Sequence, residues 1–455
     1  MPSNKQRLQT KFREWLYVPF IEKGITLELL IICAPLSLSL NIAEVGKISI
    51  PTEVLTFIVF GILILSLIMF KNIDRKFWFH PITLLLCADI LICIYTSAFS
   101  SNVLVSVKRL IIHSVFIGVY YFAFYLWYSK KNKPNRLYLL YGLSLIVPVA
   151  YSLVRHYKYG FAQNTSFAMP QPFFNDHTIY AACIAFVLPF FLYWLFMFRK
   201  DSSRLVITGF VVLSIILIIA LIMSYSRAAW ISVIAVALFS ILLIFRIKIL
   251  HILSLIIVLV TVLFINSGRI LEDRNIGEHV YTDNIIEHFT TIGKLGSDVS
   301  NKERVNRWVC SLRMFQEKPF TGFGPGTFQF EYAPYQTAEL MTRISTSNGD
   351  RGGAHSEYLS ALSEKGIAGF VQFTLLIFYS FHLGLRLFYK NKANKEIRLL
   401  IYAALMGLVT FYVHALFNEF LTYDKMSILV YGSLSLLVYV DLAQTNKSQT
   451  EQKVL

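Results

Sequence analysis

The sequence predicts an all-α integral membrane protein with about twelve transmembrane helices and a long, mostly helical outer loop between the ninth and tenth. Three observations carry this. Charged residues are only 15% of the 455-residue chain and hydrophobic ones 56%, where a soluble domain carries about 25% charged residues. The apolar residues gather into runs near the ~20 residues that a helix needs to cross a hydrocarbon core. The connections between the runs alternate between strongly basic and weakly charged. A soluble fold would leave this apolar surface in water, whereas a bilayer removes that cost.

In chain order, residues 1–24 form a basic, amphipathic N-terminus without the small-residue cleavage site of a secretory signal. Nine predicted spans fill residues 25–266, near 25–41, 52–70, 77–97, 103–128, 137–154, 178–198, 205–223, 228–245 and 249–266. Pro148 and Pro189 fall inside two of them and are tolerable kinks in a membrane helix. Residues 267–365 form the long loop, spans near 366–388, 399–417 and 426–442 follow, and 443–455 is a short tail.

Five short connections hold sixteen basic residues: Lys71, Arg75, Lys76; Lys130, Lys131, Lys133, Arg136; Arg199, Lys200, Arg204; Arg246, Lys248; and Lys390, Lys392, Lys395, Arg398. The opposite set holds four, Lys47, Arg155, Lys158 and Lys425, apart from Arg227 at the start of the eighth span. The positive-inside rule then puts both termini in the cytoplasm and the long loop outside. The +15 formal charge is mostly this topology signal, so nucleic acid is not an expected partner. The long loop has eleven Lys/Arg against thirteen Asp/Glu, so any anion site on it is local.

Cations at membrane depth cost about 2.5–3.5 kcal/mol on insertion scales. Lys108 and Arg109 lie in the outer half of the fourth span, either snorkelling to the interface or facing an anion in a cavity. Arg227, in Ser226-Arg227-Ala228-Ala229-Trp230, opens the eighth span, where the helix dipole disfavours a cation unless an anionic ligand offsets it. Arg155 begins the loop after the fifth span; further along it, Asp176 is the expected N-cap of the sixth and His177 a helix-entry residue. Asp89 in the third span has no evident local partner, and so few acids in the spans argue against a proton-coupled transporter.

Four of the five cysteines lie in apolar runs, Cys310 has no evident partner in the loop, and no Cys/His cluster has zinc-ligand spacing. No metal or cofactor is therefore expected. Within the loop, residues 301–316 have helical periodicity, with Val305, Trp308, Val309, Leu312 and Phe315 among Arg304, Arg307 and Arg313, and Pro319 ends the run. A glycine-rich turn follows, Thr321-Gly322-Phe323-Gly324-Pro325-Gly326-Thr327-Phe328, able to bring backbone amides near an anion. It lacks the Lys-Ser/Thr of a nucleotide phosphate loop. Beyond Asp350-Arg351-Gly352-Gly353, His355 precedes a helix that Ser356 or Ser360 would cap and Gly366 would break. The positive end of that helix favours neutral imidazole, the form a general base needs; a lone loop histidine is more often structural.

These residues resemble the O-antigen ligase and O-antigen polymerase superfamily of bacterial membrane glycosyltransferases. The ligase pattern reads here as His355-Ser356, nine residues, then Gly366-Ile367-Ala368-Gly369. It is joined by Arg307-Trp308, Pro319, Gly322 to Phe328, Ser226 to Trp230, and the twelve-span layout. The resemblance covers about residues 205–440; the first five spans match only in kind. It implies a multi-pass protein of the bacterial inner membrane with a periplasmic loop at 267–365. The implied reaction moves a glycan from undecaprenyl diphosphate to an acceptor by metal-independent inverting displacement. Lipid A-core is the leading acceptor. Polysaccharide polymerisation and protein O-glycosylation are the alternatives, and a lipid-linked sugar flippase is the competing class. The resemblance casts His355 as the base or orienter of the acceptor hydroxyl and Arg227 as the diphosphate contact. By position, Lys108, Arg109 and Arg155 are further donor contacts, and by charge Arg307 and Arg351 serve the acceptor. An Asp-x-Asp metal motif is absent from the sequence.

Overall fold

A computed structural model describes residues 24–42, 46–70, 74–131, 134–245, 299–342, 345–346 and 352–454, with Thr10 and Glu14. The predicted ninth span at 249–266, most of residues 1–24, residues 267–298 and Arg351 lie outside the described residues.

The described residues are mainly helical. The helices are α1 (Ile25–Leu36), α2 (Thr52–Phe70), α3 (Pro81–Ala98), α4 (Val103–Phe116), α5 (Phe124–Lys131), α6 (Arg136–Tyr157), α7 (His177–Phe198), α8 (Arg204–Met223), α9 (Arg227–Ile244), α10 (Val299–Glu317), α11 (Glu357–Lys390), α12 (Lys395–His414) and α13 (Asp424–Val454). A π-helical stretch, Ile117–Ala123, joins α4 to α5 into one continuous span. Among the described residues, nine helices are long and apolar enough to cross a membrane; Ile25–Leu36 and Arg227–Leu243 are shorter apolar helices.

The predicted first span is shorter than expected. Helix α1 has 12 residues, about 18 Å at 1.5 Å per residue and well short of a ~30 Å core. The chain then forms a hairpin, β1 (Leu38–Ile42) against β2 (Gly46–Ile50), with Leu40 opposite Ile48. The cause is legible in Ser37-Leu38-Ser39-Leu40-Asn41-Ile42, where polar and apolar residues alternate with the period of a strand. At the other end α13 runs through Val454, so the segment expected as a tail continues the helix.

The bundle centres on α12 and α13, of whose most apolar stretches 83% and 78% are buried, against 28% for α8 at the periphery. Helix α12 packs on α7 and α9, α11 on α3, and α1 on α6. The tyrosines of the π-helical stretch bind across helices, Tyr120 to Thr56 (2.8 Å) and Tyr121 to Thr83 (2.6 Å), so their hydroxyls are not left bare in an apolar interior.

The segment from α10 to the start of α11 has its own small core of Cys310, Met314, Phe323, Phe328, Tyr332 and Ala354. Ser356 caps α11 by accepting from the Leu359 N–H, and Gly366 breaks its regular course with φ 64° and ψ −164°. The break frees backbone groups that the turn after α10 takes up. Phe323 N–H donates to the Ser363 carbonyl (3.0 Å), Gly324 N–H to Glu364 (2.9 Å), and Ile367 N–H to Pro319 (2.8 Å). The backbones approach so closely that a Cβ on Gly322 would lie 2.3 Å from the Glu364 carbonyl oxygen, and one on Gly366 2.7 Å from that of Pro319.

Gly366→Ala meets both an unfavourable φ and that contact. It is expected to lower stability by about 1–3 kcal/mol, read as an unfolding midpoint in detergent. Gly209→Ala, where an added Cβ meets nothing within 4 Å, should not lower it.

Candidate active site

The glycine-rich turn is held from two sides. Besides its bonds to the α11 kink, the Phe323 carbonyl accepts from Ser101 N–H (3.0 Å) and from the Ser100 and Ser101 hydroxyls (both 3.1 Å), just before α4. The amides of Gly326 and Phe328 donate to the two oxygens of Glu364, at 2.8 and 3.1 Å. These amides are therefore already partnered by a protein carboxylate, and the turn works as a strap between α4 and α11. A Cβ on Gly326 would lie 3.3 Å from the Arg109 Cβ, so the strap runs against that side chain's root.

Behind the strap, Lys365 Nζ binds Asp89 Oδ1 on α3 (2.7 Å), and His113 Nε2 on α4 binds Asp89 Oδ2 (2.6 Å). Asp89 thus has two partners, both distant in sequence, where none was evident from the chain alone. A Cβ on Gly369 would lie 2.4 Å from the Lys365 Cβ, so the second glycine of the His-to-Gly pattern leaves room for this lysine. Asp89, Cys93 and His113 also have potential metal-ligand atoms within 4.8 Å of one another. However, both carboxylate oxygens are engaged, one by an ammonium that a metal ion would have to displace.

At the end of the bundle that the charge pattern assigns outward, a cavity of about 720 Å³ is lined by Lys108 and Arg109 from α4, Asp176 and His177 at the start of α7, Arg304 from α10, His355 and Glu364 around the start of α11, and Asn418 and Glu419 from the α12–α13 connection. Apolar walls come from Val105, Ile112, Phe167, Phe330 and Phe420. The mix of apolar lining and a few convergent polar groups suits an amphiphilic ligand. Three cations, Lys108, Arg109 and Arg304, are in the lining and give the cavity groups that can bind an anion. The carboxylates of Glu357, Glu364 and Glu419 feel the charge of Arg109.

His355 adopts φ 53°, in the left-handed region that a non-glycine residue rarely occupies. Arg307 holds the segment before it. This guanidinium is 3% exposed, donating through Nε to Glu303 (2.8 Å) and through Nη1 to the Gly353 carbonyl (3.0 Å), and it lies 4.6 Å over the Tyr332 ring. Burial, then the charges of Arg307 and Arg304, push the His355 imidazole down to about 3, so it is neutral at pH 7. Glu419 is shifted the other way. Burial, then the neighbouring carboxylates Glu364 and Glu357, raise it to about 8. The Ala354 N–H donates to its carboxylate, while Oε1 is buried without a hydrogen-bond partner.

Of the residues singled out in the sequence, His355, Lys108 and Arg109 meet in this cavity. Arg307 positions the His355 segment from behind. Arg155 donates through Nη1 to the carbonyls of Ala168 (3.0 Å) and Gln171 (2.8 Å), so it ties down its own loop outside the cavity lining. Arg227 opens α9 and also lies outside the lining. Asp176 caps α7 by accepting from the N–H groups of Thr178 (2.7 Å) and Ile179 (3.2 Å), as expected. His177 enters that helix and lines the cavity as well. Arg304 and Glu419 were not foreseen as site residues. Arg304 was hidden in an amphipathic pattern with other arginines, whereas Asn418-Glu419 is a polar pair flanked by apolar residues in the connection between α12 and α13.

Residues 212–374, from within α8 to within α11, match the family described as O-antigen ligase. This segment is similar to that family and carries the resemblance to the wider O-antigen ligase/polymerase superfamily seen in the sequence. Among curated proteins, none matches the chain. The match points to an enzyme of the glycosyltransferase type that handles lipid-linked glycans, and the long apolar helices suit a multi-pass membrane protein. The structure gives its His-to-Gly pattern a physical meaning. Ser356 caps a helix, Gly366 docks the strap, Gly369 admits Lys365, and His355 faces the cavity lining.

The ion pair behind the strap yields a test. Asp89→Leu strands a buried ammonium and should destabilise the protein by about 3–5 kcal/mol. Asp89→Leu with Lys365→Met should recover most of that loss, both followed by thermal unfolding in detergent.

Proposed function

We propose that this protein transfers a glycan from undecaprenyl diphosphate to an acceptor hydroxyl, with lipid A-core as the leading acceptor, at the periplasmic face of a bacterial inner membrane and with both termini in the cytoplasm. The observation that carries the reading is the shared cavity, whose lining brings together Lys108, Arg109, Arg304 and a neutral His355. The cations bind the diphosphate and stabilise the negative charge that grows on it as the anomeric C–O bond breaks. A fixed cation contributes most where charge develops in the transition state. The arginines, with planar forks, suit phosphate oxygens, and Lys108 adds a point charge.

The acceptor oxygen attacks the anomeric carbon in a single displacement, inverting its configuration. A diphosphate is a good leaving group, and the three cations carry its charge without a metal. His355 orients the acceptor hydroxyl by hydrogen bonding. Arg227 and Arg155, outside the lining, are assigned no contact with the donor diphosphate; Arg307 acts only through the segment it holds.

Purified protein given undecaprenyl-diphosphate oligosaccharide and lipid A-core should form the joined product, unaffected by EDTA. Arg109→Ala should cut kcat/KM by about 10²–10³-fold, while Arg227→Ala should have a much smaller effect. Lengthened lipid-linked chains in place of the joined product would move the assignment to polymerase. An equal loss in Arg227→Ala would move the donor site.

A further inference from the structure

We infer that Glu419 is the group that takes the proton from the acceptor hydroxyl, its free Oε1 being the only carboxylate oxygen of the described cavity lining that is buried without a hydrogen-bond partner. The inference rests on the glycosyl-transfer reading and assigns within it a step that two lining residues could perform.

The geometry separates those two. His355 sits among cations, with Arg304 beside it in the lining and Arg307 behind the same loop. A proton placed on its ring would add a third positive charge there. Glu419 sits among acids, with the charges of Glu364 and Glu357 from α11 acting on it more strongly than that of Arg109 from α4. A proton placed on it relieves repulsion. Glu364 cannot compete for the role, because its two oxygens hold the Gly326 and Phe328 amides of the strap. Asp176 is only partly buried, and its Oδ1 is taken up in capping α7.

Glu419 is also fixed in place. Its Oε2 lies against Gly353, where an added Cβ would be 2.1 Å away, and the next residue, Ala354, donates its N–H to the carboxylate. Glu419 is thus held beside the segment that presents His355, with one oxygen committed and one available. The neighbouring Asn418 Nδ2 is likewise buried without a partner and lines the same cavity, adding a donor for a sugar hydroxyl. The acceptor side of the cavity therefore fits an uncharged sugar hydroxyl, since a phosphate there would face Glu419 and Glu364.

The step balances as follows. The acceptor O–H proton passes to Glu419 Oε1 as the acceptor oxygen bonds to the anomeric carbon. The anomeric C–O bond to the diphosphate breaks, and its electron pair leaves on the diphosphate against Lys108, Arg109 and Arg304. The base must be ionised, and its carboxyl is raised to about 8. Activity should then rise with pH through a limb near that value and level off above it. A His355 base would give no such limb, being neutral throughout this range.

The test compares wild type, Glu419→Gln, Glu419→Ala and His355→Ala in the transfer assay from pH 6 to pH 9.5 (roughly the range over which one carboxyl and one imidazole separate). Undecaprenyl diphosphate binding is followed by thermal shift. Glu419→Gln should lose about 10²–10⁴-fold in kcat, lose the limb, and keep donor binding. Formate should restore part of the Glu419→Ala rate, which a structural role would not allow. Near-wild-type transfer by Glu419→Gln, absence of formate rescue, or a limb that vanishes only in His355→Ala overturns the assignment while leaving the glycosyltransferase reading intact. Absence of both transfer and donor binding in wild type overturns that reading itself, and this inference with it.

Discussion

The contact on which the site depends is backbone against backbone, where the Pro319–Gly324 turn docks onto the break in α11 at Gly366. A helix interrupted at the edge of a membrane exposes N–H and C=O groups that must find partners, and the turn supplies them. Side chains would hold the two strands of chain apart, so the closest positions, Gly322 and Gly366, are glycines. The same turn grips Ser100 and Ser101 before α4, which brings the start of α4 and the start of α11 to one place. Lys108 and Arg109 lie on the first, and His355 immediately precedes the second.

A second constraint acts deeper. Asp89, His113 and Lys365 form a buried ion network across α3, α4 and α11, each member costly alone in such a setting. The network fixes α4 against α11 one turn below Arg109, since His113 is four residues on along the same helix. Strap and network together set the distance between the lining cations of α4 and the loop carrying His355. Within the cavity, burial first and then the charges of Arg307 and Arg304 hold His355 neutral, while burial and then the carboxylates Glu364 and Glu357 raise the Glu419 carboxyl.

Much of this was legible in the sequence because it rests on local signals. Apolar runs placed most of the spans, Ser356 and Gly366 marked a helix start and its break, and Asp176 marked a cap. The hairpin after α1 was misread because apolar content was weighed over its two-residue alternation. Pairings between distant positions could not be read from spacing. Asp89 meets Lys365 across 276 residues, and nothing local marks either as the other's partner. Arg155, Arg307 and Arg304 look alike in the chain, and all three donate to protein groups, yet only Arg304 of the three is in the cavity lining. Glu419 was overlooked because the search was for cations at membrane depth, whereas its neighbours are acids brought together by the fold.

The central claim is that the donor diphosphate sits between α4, α10 and the His355 loop. The most direct measurement is a cryo-EM structure of the full chain in a lipid nanodisc with a non-hydrolysable undecaprenyl methylene-diphosphate sugar. The account predicts phosphate density within hydrogen-bond reach of Arg109 and Arg304, with the anomeric carbon turned toward His355 and Glu419. Density held instead by Arg227, with the cavity behind the strap left unoccupied, would contradict it.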